Sequence, residues 1–330
     1  MKHGNIALFI PHNGCPHQCT FCNQRRITGK NAQPAPEYVR ETIIKAINDL
    51  GDDSKNCEIA FFGGSFTAID RDYMISLLDA VNPYIHYFKG IRVSTRPDYI
   101  DGNVLITLKN YGVTTIELGA QSMNDEVLRA NNRGHSADDV IRASKLIKSY
   151  SFNLGLQMMT GLYKATPESD IFTAEQFVKL RPDSVRIYPT VIMKDTVLAD
   201  LYRSGEFIPY SLDNSVDLCA KIMLLFEDNN IDVIRVGLHY SKSLIEGSLG
   251  DSYHPAFKEL CENKIFLNNI LKSINNPETK DIIVRVNPSS VSKLIGQNKS
   301  NIKVLADLGF NLSVEKDPTL SKYEVIIENK

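Results

Sequence analysis

The sequence predicts an α/β protein built on a parallel sheet with crossover helices, doubly wound or barrel-like, followed by a small α+β unit. Three observations carry this. Six apolar runs of strand length alternate with helix-period segments between residues 6 and 188, and such a series implies right-handed crossovers within one sheet. The runs end on glycine or polar side chains, as expected where ligands gather at the C-terminal ends of parallel strands. Past Asn275-Asn276-Pro277-Glu278-Thr279, the strongest linker pattern in the chain, the alternation gives way to a β-α-α-β-β order. The expected domains are 1–275 and 276–330.

Ile6 to Ile10 is the first strand, stopped by Pro11 and Gly14. Val39, Ile43, Ile44 and Ile47 recur at helical spacing between Glu37 and Leu50, with Pro36 at the start. Glu58 to Phe62 reads as a buried strand running into Gly63-Gly64-Ser65-Phe66-Thr67. Helix Tyr73 to Val81, strand Ile91 to Thr95, helix Asn103 to Tyr111 and strand Thr115 to Leu118 follow. Helix Ala137 to Tyr150, strand Phe152 to Met159, helix Thr173 to Leu180 and strand Ser184 to Tyr188 complete the series. Residues 194–260 are less regular, with a helix at Leu218 to Phe226, a short strand at Asp232 to Val236 and a long loop from Leu249 to Pro255. The final unit holds strand Ile282 to Val286, helix Val291 to Ile295, loop Gly296-Gln297-Asn298-Lys299 and helix Asn301 to Leu308. Strands Asn311 to Val314 and Tyr323 to Ile327 close it.

With 330 residues, 43% of them hydrophobic, the chain can bury a large core. It shows no charged-then-apolar leader and no apolar run long enough to span a bilayer, so a soluble, cytoplasmic protein without a membrane partner is expected. Six cysteines in a chain this long fit a reducing compartment. A formal net charge of −2 gives no global argument for nucleic acid, so any such contact needs a local patch.

The chemistry centres on Cys15-Pro-His-Gln-Cys19-Thr-Phe-Cys22, spaced C-x3-C-x2-C, on the loop that leaves the first strand. Thiolates are soft ligands that select iron–sulfur clusters, Zn²⁺ or Cu(I). A four-iron cubane normally takes four cysteines, so three would leave one iron open to a cosubstrate. Structural zinc is the alternative, with His12 or His17 as fourth ligand, but no second C-x2-C follows and Cys57, Cys219 and Cys261 are scattered singly. The other strand ends hold Gly63-Gly64-Ser65, Ser94-Thr95-Arg96, Gln121, Gln157 and Tyr188. Each alone reads as an ordinary turn or cap; together, at equivalent places, they read as one site.

These residues carry a family likeness. The cysteine loop after the first strand, the Gly-Gly turn after the second and the β/α series resemble the radical S-adenosylmethionine (SAM) enzymes. The strings TRPDY at 95–99, ELGAQS at 117–122, NRGH at 132–135 and RPDSVRIYPT at 181–190 resemble the radical SAM core of the catalytic subunit of the Elongator complex, over roughly residues 5–240. The resemblance implies a partial (β/α)6 TIM-type barrel. It implies a [4Fe–4S] cluster on Cys15, Cys19 and Cys22, with Phe21 as the aromatic residue usual before the last cysteine. The open iron would chelate SAM. Reduction by a flavodoxin- or ferredoxin-type donor would cleave it to methionine and a 5′-deoxyadenosyl radical, with the protein supplying placement and exclusion of water. Gly63, Gly64 and Ser65 would line the methionine end of SAM, and Gln121 and Arg133 match SAM-contacting positions of coproporphyrinogen-type relatives. Ser65 stands where many relatives have an acid, Ser94 where they carry glutamate and Gln157 where some have aspartate, which leaves neutral contacts to SAM here. The Elongator subunit modifies wobble uridine in tRNA with an acetyltransferase domain; this chain is expected to lack that domain and the basic extension before the core.

The C-terminal unit, with LIGQNKSNIKVL at its centre, resembles a KH domain, in which a GXXG loop clamps the nucleic-acid backbone. Gly296, Gln297, Asn298 and Lys299 would form that loop, with Lys299 in place of the second glycine. From 280 to 330 there are eight Lys/Arg against six Asp/Glu, a mildly basic end, and Lys293, Lys299, Lys303 and Arg285 are the candidate cations. A cap or self-association unit is the alternative. Three functions remain open: a radical SAM enzyme acting on RNA, with tRNA foremost; one acting on a small molecule; and a zinc-stabilised, non-enzymatic RNA-binding protein. Arg186, Tyr188, Arg235, His239, Tyr240 and His254 are further candidates to face a substrate.

Overall fold

The computed structural model describes residues 4–11, 15, 17–23, 32–251, 253–274 and 280–329. His12 and the linker at 275–279, with the expected boundary at 275–276, lie outside the described residues. In chain order the first strands are β1 (Gly4–Ile10), β2 (Cys57–Gly63), β3 (Gly90–Thr95), β4 (Val113–Gln121), β5 (Asn153–Thr160) and β6 (Ser184–Pro189), then β7 (Ile192–Met193), β8 (Asp232–Val236) and β9 (Ser248–Leu249). Seven of these pair in the order β1-β2-β3-β4-β5-β6-β8, every pair parallel. A doubly wound sheet would reverse its growth at a switch point. This sheet never does, and it forms a seven-stranded half-barrel.

The crossover helices are α1 (Pro36–Leu50), α2 (Arg71–Val81), α3 (Gly102–Asn110), α4 (Asp125–Ala130), α5 (Ala137–Ser149) and α6 (Pro167–Leu180). Most start on a side-chain cap: Asp70, Asp101, Asn124, Ser136 and Thr166 each accept a backbone N–H of their helix's first turn. Ile59, Phe61, Ile91, Val93, Ile116, Leu118, Leu154, Leu156, Val185 and Ile187 are buried at every second strand position, as are Ile43, Leu77, Leu108, Ile147 and Phe177 on the helices. These residues form the apolar layer. The intervening strand positions hold Glu58, Arg92, Ser94, Glu117, Gln157 and Arg186.

Elsewhere the elements depart from expectation. Helix α6 begins at Pro167 rather than Thr173, because Thr166 and Ser169 form a reciprocal cap with proline at the first helical position. The stretch expected as irregular contains α7 (Val197–Arg203), α8 (Leu212–Asp228), α9 (Lys242–Gly247) and α10 (Phe257–Ser273). Leu249, expected in a loop, pairs with Ile192 in the short β7–β9 ladder.

The chain divides into two compact units, 1–209 with 226–253, and 210–225 with 254–330. In the second unit, β10 (Asp281–Val286) lies between β11 (Asn311–Lys316), parallel to it, and β12 (Val325–Asn329), antiparallel. α11 (Val291–Ile295) and α12 (Ser300–Asp307) connect β10 to β11. Helix α10 packs with this group: Phe266 meets the Tyr323 ring edge-on at 5.9 Å, and Lys264 pairs with Asp217 at 2.8 Å. Cys219 and Cys261, scattered in sequence, meet here as buried thiols in a sulfur hydrogen bond, and burial, then Cys219, pushes the Cys261 thiol far up. No helix among the described residues is long and apolar enough to cross a membrane.

Candidate functional site

The loop after β1 is pinned through Thr20. Its hydroxyl donates to Asn131 Oδ1 at 2.8 Å, its N–H to the Asn131 carbonyl at 3.3 Å, and its carbonyl accepts from Leu198 N at 2.8 Å. Asn131 is wholly buried and donates to the carbonyls of Val127 and Tyr163, each at 2.8 Å. Asn132 Nδ2 holds the Gln18 carbonyl at 2.9 Å. Phe21 packs against the cluster of Ile192, Leu198, Ala199 and Phe207. The His17 ring fills the space a Cβ at Gly134 would take.

Positive charge converges on the thiols. Arg133 Nη1 donates to Cys19 Sγ at 3.0 Å, while Nη2 donates to the Gly119 carbonyl at 2.5 Å. Arg96 fixes this arginine in turn, donating to the Arg133 carbonyl at 2.6 Å and to both Asp98 oxygens at 2.9 and 2.8 Å. Desolvation and the neighbouring Cys19 push the Cys15 thiol up; Arg133, Arg96 and the Ser65 backbone oppose them. Among the described residues no three His, Cys, Asp or Glu side chains are grouped to hold a metal.

Gly63 has φ +110, and a Cβ there would stand 2.8 Å from the Ile10 carbonyl oxygen. Gly64 N donates to that same oxygen at 2.7 Å, which ties the second strand's turn to the root of the cysteine loop. The Ser65 hydroxyl is buried between Thr95 Oγ1 at 2.8 Å and Arg96 N at 3.1 Å. Ser94 and Gln157 both donate to Glu117 Oε2, at 3.5 and 2.7 Å. Gln121 ends β4 at a register shift with φ 66, a left-handed conformation costly for a side-chain-bearing residue. Three buried polar atoms here lack a partner among the described residues: Gln121 Oε1, Arg133 Nε and His135 Nδ1. His135 is driven neutral, from its ordinary 6.5 to about 4, by burial and then by Arg133 and Arg96.

Sequence reasoning missed the buried charge chain beneath these residues. Arg92 bonds Glu58 Oε2 at 2.7 Å and Glu117 Oε1 at 2.6 Å, and Arg186 grips both Glu117 oxygens at 2.8 and 2.9 Å. Gly155 lacks a side chain because a Cβ would fall 2.6 Å from Glu117 Cγ. The signal was a charge inside five of the seven sheet strands, Glu58, Arg92, Glu117, Arg186 and Arg235, among apolar neighbours. Asn131 was missed as well, one residue before the NRGH string.

In the C-terminal unit, Gly296 has φ +81, and a Cβ there would strike Ser300 Oγ. Asn298 and Lys299 are left-handed at φ 52 and φ 61, so Lys299 takes a conformation glycine would favour. Lys293 is paired with Glu262 at 3.2 Å, and Arg285 with Glu315 and Glu328 at 3.3 and 3.2 Å. Lys299 and Lys303 are exposed, and neither forms an ion pair with a carboxylate among the described residues.

The radical SAM superfamily model matches residues 9–175, half of the chain, and the radical SAM C-terminal domain model matches 182–266. The chain belongs to the radical SAM superfamily. Elongator complex protein 3 of Mus musculus is 33% identical over 255 residues, covering 67% of this chain and 46% of the relative. The tRNA uridine(34) acetyltransferase of Dehalococcoides mccartyi (strain CBDB1) is 24% identical over 294 residues, covering 78% and 64%. The chain spans about half the length of most curated relatives it matches. The archaeal Methanocaldococcus infernus Elp3 with an N-terminal deletion shares the fold at TM-score 0.62 and 20% identity, over 80% of this chain and 62% of that one. This radical SAM chain is thus related to the Elongator protein 3 group, and its family implies a [4Fe–4S] cluster, SAM and a reductant. The residues present fit such groups: arginine donors face thiolates, and unpartnered polar atoms lie beside them.

Proposed function

We propose that this radical SAM enzyme holds its cluster on Cys15, Cys19 and Cys22, lines its SAM pocket with Gly63, Gly64, Gln121 and Arg133, and acts on RNA, with tRNA as the foremost substrate. The observation that carries the core of this reading is Arg133 on Cys19 Sγ with Gln121 Oε1 unpartnered beside it. When bound, cluster and SAM supply a carbon radical by reductive cleavage of SAM. The chain's own part is placement. Arg133 and Arg96 balance thiolate charge, the Gly63-Gly64 turn offers close backbone approach, and Phe21 anchors the loop against apolar neighbours. Ser65, Ser94 and Gln157 have their side chains engaged inside the protein, so their share is support of neighbouring groups.

The RNA assignment is supported by kinship with a tRNA uridine(34) acetyltransferase and by the left-handed Lys299 in a KH-like loop. Pairing of Lys293 and Arg285 with carboxylates favours the second reading, a small-molecule substrate, by thinning the basic patch. Release of 5′-deoxyadenosine from SAM by reduced, reconstituted protein, with and without bulk tRNA, tests both. Cluster-dependent release stimulated by tRNA is expected, supported by a flavodoxin- or ferredoxin-type donor. Fully iron-loaded protein that leaves SAM intact under reduction would sink the core of the proposal, and release indifferent to tRNA would move the substrate to the second reading.

A further inference from the structure

The last strand of the half-barrel carries an arginine that the core does not neutralise. Arg235 on β8 stands in register with Arg186 on β6, and the register shifts by one residue just before that pair. Val233 pairs with Val185 and Arg235 with Arg186, so Ile234 is the inserted residue and lies exposed. A bulge of this kind moves the following side chain onto the other face of a strand. Here it sets a second guanidinium beside the first.

The two arginines are in different states. Arg186 is held by both oxygens of Glu117. Arg235 donates from Nε to the Gly237 carbonyl at 3.0 Å, and no carboxylate pairs with it among the described residues. In the buried chain, Glu58 and Glu117 pair with Arg92 and Arg186, and Arg235 stands beside Arg186 as a further positive charge. The groups in electrostatic reach of Arg235 are Arg186, Tyr188 and Tyr253. His239 lies just past the strand, within electrostatic reach of both arginines, and the buried Tyr253 OH has no partner among the described residues. A guanidinium with no carboxylate partner among the described residues, an imidazole and an unpartnered phenol thus lie toward the ligand-bearing end of the parallel strands.

We propose that Arg235, His239 and Tyr253 form an oxyanion site that holds a phosphate group of the substrate. Phosphate supplies acceptor oxygens for the guanidinium fork, the phenol and the imidazole together, and it offsets the positive charge of Arg235. The site deepens the reading of the function above by naming the substrate class, and it rests on that reading only for its role in turnover. The phosphate can come from an RNA backbone or from a phosphorylated metabolite.

Inorganic phosphate is the probe, titrated calorimetrically into the full, reconstituted chain at low ionic strength, without reductant. Saturable binding at one site is expected, with affinity falling about tenfold or more in Arg235→Gln. Arg235→Lys should keep part of it, and Tyr253→Phe should weaken it severalfold. Iron content and circular dichroism of each variant report folding, and the two conservative variants carry the test if Arg235→Gln fails to fold. Competition by a short RNA but not by uridine monophosphate assigns the phosphate to a backbone; the reverse assigns it to a metabolite. Absence of saturable binding in the parent, parental affinity in Arg235→Gln, or displacement of phosphate by SAM alone would overturn the proposal. Because no SAM cleavage is read, a parent that binds phosphate yet leaves SAM intact refutes the enzymatic reading and not the site.

Discussion

At the scale of single residues, Glu117 and His135 carry the heaviest electrostatic constraint. Burial alone would raise the Glu117 carboxyl, but Arg186, then Arg92 and Gln157, hold it below the usual carboxylate range. Its folded value is depressed, so its stabilisation is complete above the unfolded value and fades as pH falls through the folded one. Glu117→Gln strands two arginines in a buried setting and should cost about 3–5 kcal/mol in urea unfolding at neutral pH. That deficit should shrink in strongly acid solution, where the parent also loses the charge. His135 follows the same sign in a different window. Its folded value is about 4 against an ordinary 6.5, so stability should decline as pH drops from about 6.5 toward 4. His135→Gln should flatten the curve there, measured at constant cluster content. Arg133→Ala removes the donor to Cys19 and should weaken iron retention roughly tenfold in chelator competition, as loss of a ligand's supporting partner does. Parental iron retention would show that this arginine does not support the cluster.

At the scale of elements, the long strands were legible, while the two-residue strands β7 and β9 and several helices were not. β1 to β6 announce themselves by apolar runs, and α1 by Val39 and Ile43 at helical spacing. α4 and α9, six residues each, were not read from the sequence, although the five-residue α11 was. α10 is long, but Glu262, Asn263, Lys264, Asn268 and Asn269 interrupt the apolar series Phe257, Cys261, Ile265, Phe266 and Ile270. The cysteine loop stood out in the sequence by its C-x3-C-x2-C spacing, whereas the charge chain did not, because Glu58, Arg92 and Glu117 become neighbours only through sheet register. The loop between α11 and α12 makes its own prediction. Lys299 is left-handed, so Lys299→Gly should relieve strain of about 1 kcal/mol, partly offset by glycine's entropy, and leave stability equal or slightly raised. Lys299→Glu should weaken tRNA binding and flatten its salt dependence, because one phosphate contact and its counterion release are lost. A filter-binding slope identical to the parent's would remove this loop from RNA recognition.

At the scale of the whole molecule, α10 and residues 281–329 belong to one compact unit, so cutting after residue 276 would not yield a clean core. It would strip Tyr323 from Phe266 and Lys293 from the buried Glu262. The shortened chain should aggregate or show heightened binding of a hydrophobic dye, and a monodisperse product with parental dye binding would refute this. The buried thiols have a separate consequence. Cys57 is 5% exposed in one unit, while Cys219 and Cys261 are each 0% exposed in the other. An alkylating agent can reach these sulfurs only during transient opening, so their labelling rates time the breathing of each unit. Mass-resolved pulse alkylation thus turns three cysteines outside the C-x3-C-x2-C loop into paired clocks: Cys57 for the half-barrel, and Cys219 with Cys261 for the unit that follows.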